Sequence, residues 1–241
     1  KLLRRTGMRC VGERYLSGDW SEAETVEAIT RQRKDFYRSR TASLIVESNT
    51  QWYGLLPLVP QILPSYRVLA LVRDPRTWVR SWVNYGAHHD DRDRVAKFGL
   101  PRLSPEMVGG EWEGRWAEMD VFQRLCWDWR WITSRLLDAA DTDPLVRLVR
   151  FEDLFYSDRR RERLDEVLAF LTDFGERRYE YRIPPGFFER KVNVSRPTRL
   201  GPWEEWSESR RRFLLVMCGP LMDRLGYSLE DDPRRSTAAG A

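Results

Sequence analysis

The sequence predicts an α/β fold in which a parallel sheet is flanked by helices. Three observations predict it. Short apolar runs without alternation, at residues 44–46, 67–72 and 145–149, read as buried strands. Longer segments with apolar residues at helical spacing lie between them, so strands and helices take turns along the chain. Each run ends on polar residues: Glu47-Ser48-Asn49, Arg73-Asp74, and Arg150-Phe151-Glu152-Asp153. Ligands of a parallel sheet bind beyond the carboxyl ends of its strands, so these tips are where chemistry is expected.

In chain order, residues 1–6 read as the last turns of a helix, ended by Gly7 as a C-terminal cap, so the chain reads as opening inside an element. Ser21-Glu22-Ala23-Glu24 is a capping box that opens a charged helix to about Arg38. Residues 55–63 form a proline-broken helical stretch. The strand at 67–72 runs into Asp74-Pro75, an N-cap followed by proline at the first helical position. Residues 86–114 read as one long irregular loop, long enough to act as a lid. Met119, Phe122, Cys126, Trp129, Ile132 and Leu136 mark the buried face of a helix over 115–137. Leu164, Val167, Leu168 and Leu171 mark another. A last helix, 207–225, reads as bent or broken at Gly219-Pro220. The expected organisation is a single domain over 1–230 and a flexible, polar tail over 231–241.

Composition excludes several classes of function. With 41% hydrophobic and 12% aromatic residues among 241, the chain is neither disordered nor fibrous. No stretch approaches the roughly 18 apolar residues of a membrane helix, and Lys1-Leu2-Leu3-Arg4-Arg5 does not open a secretory leader. All but four of the 41 basic residues are arginine. That bias reads either as codon usage or as recognition of phosphate and sulfate by the bidentate guanidinium fork. Acids interleave with the arginines, as in Asp90-Asp91-Arg92-Asp93-Arg94, and leave a net charge of +4, so no nucleic-acid partner is expected. Cys10, Cys126 and Cys218 are too scattered for a zinc or disulfide framework, which fits a reducing, cytoplasmic setting. The two histidines, His88 and His89, are adjacent, a poor spacing for a metal, and no metal is expected.

The sharpest signal is the segment Val68-Leu69-Ala70-Leu71-Val72-Arg73-Asp74-Pro75-Arg76-Thr77-Trp78-Val79-Arg80-Ser81. An apolar strand delivers an arginine at its tip, and a helix starts at once with its N–H groups pointing the same way. That combination makes an anion site. The other reading is an Asp-Pro helix cap with an arginine paired to it.

These residues resemble a known family. Arg73 and Ser81, in the order R-D-P-x-x-x-x-x-S after an apolar strand, look like the 3′-phosphate-binding motif of sulfotransferases that use 3′-phosphoadenosine 5′-phosphosulfate (PAPS). Arg150-Phe151-Glu152-Asp153-Leu154 resembles the family's strand-end Y-E-D-L. Residues 196–203, Arg-Pro-Thr-Arg-Leu-Gly-Pro-Trp, resemble its late loop, in which basic residues before G-x-W reach the same phosphate. Leu225-Gly226-Tyr227 resembles the L-G-Y that closes the last helix. The likeness runs from Lys1 to about Tyr227. It implies a P-loop nucleotide-kinase-like sulfotransferase fold, with PAPS as cofactor and 3′,5′-adenosine bisphosphate as product.

The resemblance assigns cofactor contacts to Arg73, Ser81, Arg196, Arg199, Lys191 and Trp203. Pro197 stands where the family often has lysine, and Arg199 or Lys191 would substitute for it. Trp203 either stacks on the adenine or, like Trp206, anchors the last helix. The family's glycine-rich phosphosulfate loop, P-K-S-G-T or R-x-G-T, is absent from these residues, while Leu2-Leu3-Arg4-Arg5-Thr6-Gly7 resembles the helix end that comes after it. The chain is therefore expected to lack the first strand and loop, and to bind the 3′-phosphate without efficient transfer.

Sulfuryl transfer needs a base for the acceptor's proton and cations for the departing phosphate. Gly12-Glu13-Arg14-Tyr15-Leu16, expected to come after a short strand, resembles the H-E-Y-F or R-E-F-F segment of bacterial carbohydrate sulfotransferases, and Glu13 is the implied base. Its alternative is a surface salt bridge. His88 and His89, in the long loop, are the rival bases and candidate acceptor contacts. Glu47, Glu152 and Asp153 would orient ligands or, more simply, pair with arginines and cap helices. Of the tryptophans, Trp112 in the loop is the candidate sugar platform, and most of Trp116, Trp127, Trp129 and Trp131 belong to the core. The expected acceptor is a carbohydrate or small molecule. Two other readings remain: a nucleotide-dependent kinase on the same scaffold, which would require a phosphate-loop lysine, and a noncatalytic arginine-rich binding module.

Overall fold

The computed structural model describes residues 8–38, 41–86, 88–90, 93, 102–175, 177–189 and 199–229. The fold is mixed α/β, mostly helical, with one small parallel sheet of two strands. The chain forms two compact units, residues 1–66 with 93–119, and residues 67–92 with 120–241. Among the described residues, no helix is long and apolar enough to cross a membrane.

The first unit is built on two helices, α1 (Met8–Leu16) and α2 (Glu22–Arg38). The capping box at Ser21 forms as its sequence demands: Ser21 N–H donates to Glu24 Oε2 at 2.9 Å, and Glu24 N–H donates back to Ser21 Oγ at 3.3 Å. The proline-broken stretch becomes short 3₁₀ turns and a one-turn helix, α3 (Val59–Ile62). Val11, Ile29, Leu55, Leu58 and Ile62 bury against one another, with Tyr15, Trp20 and Trp52 around them. Gly54 lets the turn pack closely on α1: a Cβ there would lie 2.9 Å from a Leu16 methyl, which would have to swing aside.

Two expectations fail in this unit. Gly12 to Leu16 lie inside α1, and residues 8–11 just before them are helix rather than strand, because the helical run is unbroken from Met8. Residues 44–46 are not a strand. Val46 is 80% exposed, and the adjoining Glu47 is drawn to Arg33, 3.0 Å away on α2, so nothing pulls the run into a ladder. The expected long loop is structured in part. Asp93 takes a bidentate ion pair from Arg102 at 2.6 and 2.7 Å, and α4 (Pro105–Val108) and a 3₁₀ turn, Glu113–Glu118, interrupt it.

The second unit holds the sheet. Strands β1 (Val68–Val72) and β2 (Val146–Arg150) pair in parallel, from Val68 opposite Val146 to Val72 opposite Arg150. Helix α5 (Pro75–Tyr85) leaves β1. Helix α6 (Val121–Thr142) packs on both strands, on α5, and on the last helix, α7 (Glu208–Arg224). Ala70 and Val72 are buried, but Leu71 between them is 43% exposed, so the face that carries it is covered only in part, by the helix Arg160–Thr172, where full cover was expected. Helix α6 starts later than its apolar pattern suggested. Asp120 and Gln123 close a capping box, and that box fixes the start at Val121. Helix α7 runs through Pro220 unbroken. The proline removes one N–H, and the lost bond falls one turn back at Val216, which is exposed. Two short helices, Phe151–Phe155 and Arg160–Thr172, come after β2, and a hairpin with two-residue strands, Asp173–Phe174 and Arg177–Arg178, comes after them.

Candidate functional site

The tips of β1 and β2 lie side by side, and most of their polar groups bind one another. Asp74 caps α5: its Oδ1 accepts the Arg76 N–H at 2.8 Å, and its carbonyl accepts the N–H groups of Thr77 and Trp78. Pro75 has no N–H to offer. The helix N-terminus is thus satisfied internally, and the expected contribution of its N–H groups to an anion site is not there to be used. The arginine that pairs with the cap is Arg76. Its guanidinium grips the Asp74 carboxylate at 2.6 to 3.1 Å, donates to the Ser228 carbonyl at 2.9 Å, and is 2% exposed.

The carboxylates of the second tip are also spoken for. Glu152 Oε1 accepts the Asp74 N–H at 3.1 Å, and its Oε2 accepts the Tyr227 hydroxyl at 3.0 Å. Burial raises the pKa of both Glu152 and Tyr227. The Glu152 carboxylate pushes the Tyr227 phenol up further, whereas the hydroxyl that Tyr227 donates pulls Glu152 back the other way. Arg150 clamps Asp153 at 2.8 and 3.0 Å and donates to the carbonyls of Leu225 and Gly226. The Asp153 carboxylate raises the Arg150 pKa further. The strand-end E-D-L and the L-G-Y turn, far apart in sequence, therefore meet in one network. Glu47, at the third expected tip, pairs with Arg33 and accepts the Tyr37 hydroxyl.

Arg73 is different. Its Nε donates to Thr77 Oγ1 at 2.9 Å, and its guanidinium carbon lies 4.8 Å from the Phe151 ring centre. Its carbonyl accepts the Trp129 indole N–H at 2.8 Å, which fixes the backbone. Among the described residues, the two terminal guanidinium nitrogens have no partner. The fork is half-buried, held on two sides, and open at its end.

Thr77, Ser81 and Asn84 stand at i, i+4 and i+7 of α5, on one helix face. Arg73 lies on the first of them. At the far end, Asn84 Oδ1 accepts the N–H groups of Arg199 and Leu200 at 2.9 and 3.0 Å, and its Nδ2 donates to the Leu200 carbonyl at 2.9 Å. The late loop is thereby clasped to the face that carries Ser81. Gly86 ends this helix in the left-handed conformation, φ 64°. Arg199 itself pairs with Asp90.

Trp203 packs edge-on against Trp206 at 5.1 Å, near the guanidiniums of Arg76 and Arg211, and Trp206 donates its indole N–H to Gly201. Lys191 and Arg196 lie outside the described residues, as do Leu2 to Gly7. Glu13 is buried in α1, and Trp112 gives its indole N–H to Glu111; both belong to the first unit. Trp127 and Trp129 are core residues.

His88 and His89 converge on Asp128 of α6. Their Nε2 atoms lie 3.7 and 2.7 Å from its Oδ2. Sequence reading missed Asp128, Thr77 and Asn84. The last two were within reach, since both fall on the Ser81 face by helical spacing. Asp128 was not, because nothing local links it to residues 39 positions away.

Comparisons with protein-family models, with curated proteins and with solved structures find no match to this chain.

Proposed function

We propose that the protein is a PAPS-dependent sulfotransferase of the P-loop nucleotide-kinase-like type, acting on a hydroxyl or amine of a carbohydrate or small molecule. One observation carries the reading. An arginine fork is held open at a strand tip, and the helix face leading from it bears Ser81 and the clasp for the Arg199 loop. A 3′-phosphate fits that strip: two parallel N–H donors from Arg73, the Ser81 hydroxyl one turn beyond Thr77, and the late loop at the far end. In the reaction, the acceptor oxygen attacks sulfur and the sulfur–oxygen bond to the cofactor's 5′-phosphate breaks. Adenosine bisphosphate leaves, and the acceptor proton passes to a base. Glu13 is the base of this reading and His88 or His89 its rival.

Calorimetry with 3′,5′-adenosine bisphosphate and AMP tests the proposal. The bisphosphate should bind at least tenfold more tightly, and Arg73→Ala should abolish the preference. Equal affinity of the unaltered protein for both nucleotides overturns the reading. In protein competent for transfer, Glu13→Gln should lower turnover roughly a hundredfold with nucleotide affinity unchanged. Unchanged turnover reassigns the base.

A further inference from the structure

The chain has two histidines, and both face one aspartate. We infer that His88, His89 and Asp128 form a binding site for a divalent transition-metal ion of the zinc class. The inference does not depend on sulfuryl transfer.

The donor set is the first argument. Two imidazoles and a carboxylate are the ligands of open, three-coordinate protein sites for zinc and its neighbours, in which solvent takes the fourth position. Convergence is the second. One ligand atom from each of the three residues lies within 4.8 Å of the other two. The Nε2 of His88 is 3.7 Å from Asp128 Oδ2, close to the roughly 3.4 Å between ligand atoms around a tetrahedral ion with bonds of about 2.1 Å. The Nε2 of His89 is nearer, at 2.7 Å, a hydrogen-bond distance. A proton bridges that pair, and an ion replacing it would need the two atoms to part by roughly 0.7 Å.

The backbone supplies the third argument. Consecutive residues of an extended chain send their side chains to opposite sides. His89 sits at φ 53°, the one positive φ outside glycine among the described residues. That conformation is uphill for a side chain bearing a Cβ. It breaks the alternation, so that both rings reach the same oxygen. Burial is the fourth. The side chains of His89 and Asp128 are 5% and 3% exposed, whereas that of His88 is 23% exposed and packs on Trp82 at 4.7 Å. The His88 side, the more exposed of the three, gives an ion its way in.

The test is a titration of the tag-free full chain with zinc ion, followed by calorimetry, and with cobalt ion, followed by visible absorption. One zinc per chain should bind with a dissociation constant of about 1 μM or tighter, and cobalt should give the intense bands of a tetrahedral site. Asp128→Asn and the double variant His88→Ala/His89→Ala should each weaken zinc at least tenfold and abolish those bands. His88→Gln changes the most exposed ligand and spares the buried pair. With an unchanged circular dichroism spectrum, it should still lose at least tenfold. Absence of zinc binding in the unaltered protein, or equal affinity in the folded His88→Gln variant, overturns the site.

Discussion

Two strand tips sit next to each other in the sheet, and each presents an arginine. At β2, Arg150 is saturated: a bidentate carboxylate, two backbone carbonyls and the Tyr227 ring surround it. At β1, among the described residues, Arg73 has one hydroxyl and one ring, and its two terminal nitrogens have no partner. The same residue type in the same topological position is a saturated structural clamp in one case and, in the function proposed above, the phosphate receptor in the other. The difference lies in the acid just downstream of each arginine. Asp153, three residues on, turns back to Arg150, whereas Asp74, next to Arg73, is taken by Arg76. Arg76 shields Arg73 from its own neighbour and so leaves it available.

That contrast can be broken at its hinge. Arg76→Ala should have the largest effect, because it strands the buried Asp74 carboxylate. Removing one partner of a buried pair costs about 3–5 kcal/mol, read as a fall in the denaturant midpoint, and the same variant should weaken nucleotide binding if Arg73 then turns to Asp74. Arg73→Ala should show the opposite profile. Losing a receptor cation costs about 2–5 kcal/mol of nucleotide binding, while the unfolding midpoint should scarcely move. Equal stability losses for the two variants would erase the distinction between clamp and receptor.

Asn84→Ala sharpens the comparison from the other end of the helix face. It removes three hydrogen bonds to Arg199 and Leu200 and leaves buried backbone groups without partners, for about 1–3 kcal/mol. Bisphosphate affinity should fall and AMP affinity should not, in paired calorimetric titrations.

The smallest effect is one of pH. Burial raises the Glu152 pKa, so in the window between the ordinary glutamate range and the raised value the folded protein holds a proton that the unfolded chain releases. This contribution to stability is complete below that window and is lost as pH rises through it. Glu152→Gln, which cannot ionise, should flatten that part of the profile of unfolding midpoint against pH.

Much of this is legible in the sequence, and the parts that are not share a cause. The capping box at Ser21, the Asp74-Pro75 helix start and the strands expected at 67–72 and 145–149, which form at 68–72 and 146–150, are local and legible, whereas sequence reading missed the Asp120 box. The run at 44–46 misleads because three apolar residues carry no information about a partner strand. Pro220 misleads because its penalty depends on whether water can reach one carbonyl, which only packing decides. In the site, the Arg73–Ser81 motif is visible, but its partners are not. Asn84 meets Leu200 across 116 positions and His89 meets Asp128 across 39, and such pairs leave no local signature.

The network at the strand tips also sets an order of events during synthesis. Arg76 reaches Ser228 across 152 positions, and Glu152 reaches Tyr227 across 75. A growing chain can place β1 beside β2 well before residues 225–228 exist, yet until then the Arg76 guanidinium, the Glu152 carboxylate and the Arg150 fork cannot complete their sets of hydrogen bonds. Contacts of such long range form late and slow folding. The sheet therefore waits, with its polar end unsealed, for residues 225–228 beyond α7 to arrive. Partly folded chains with unsealed surfaces of this kind are the ones prone to aggregate.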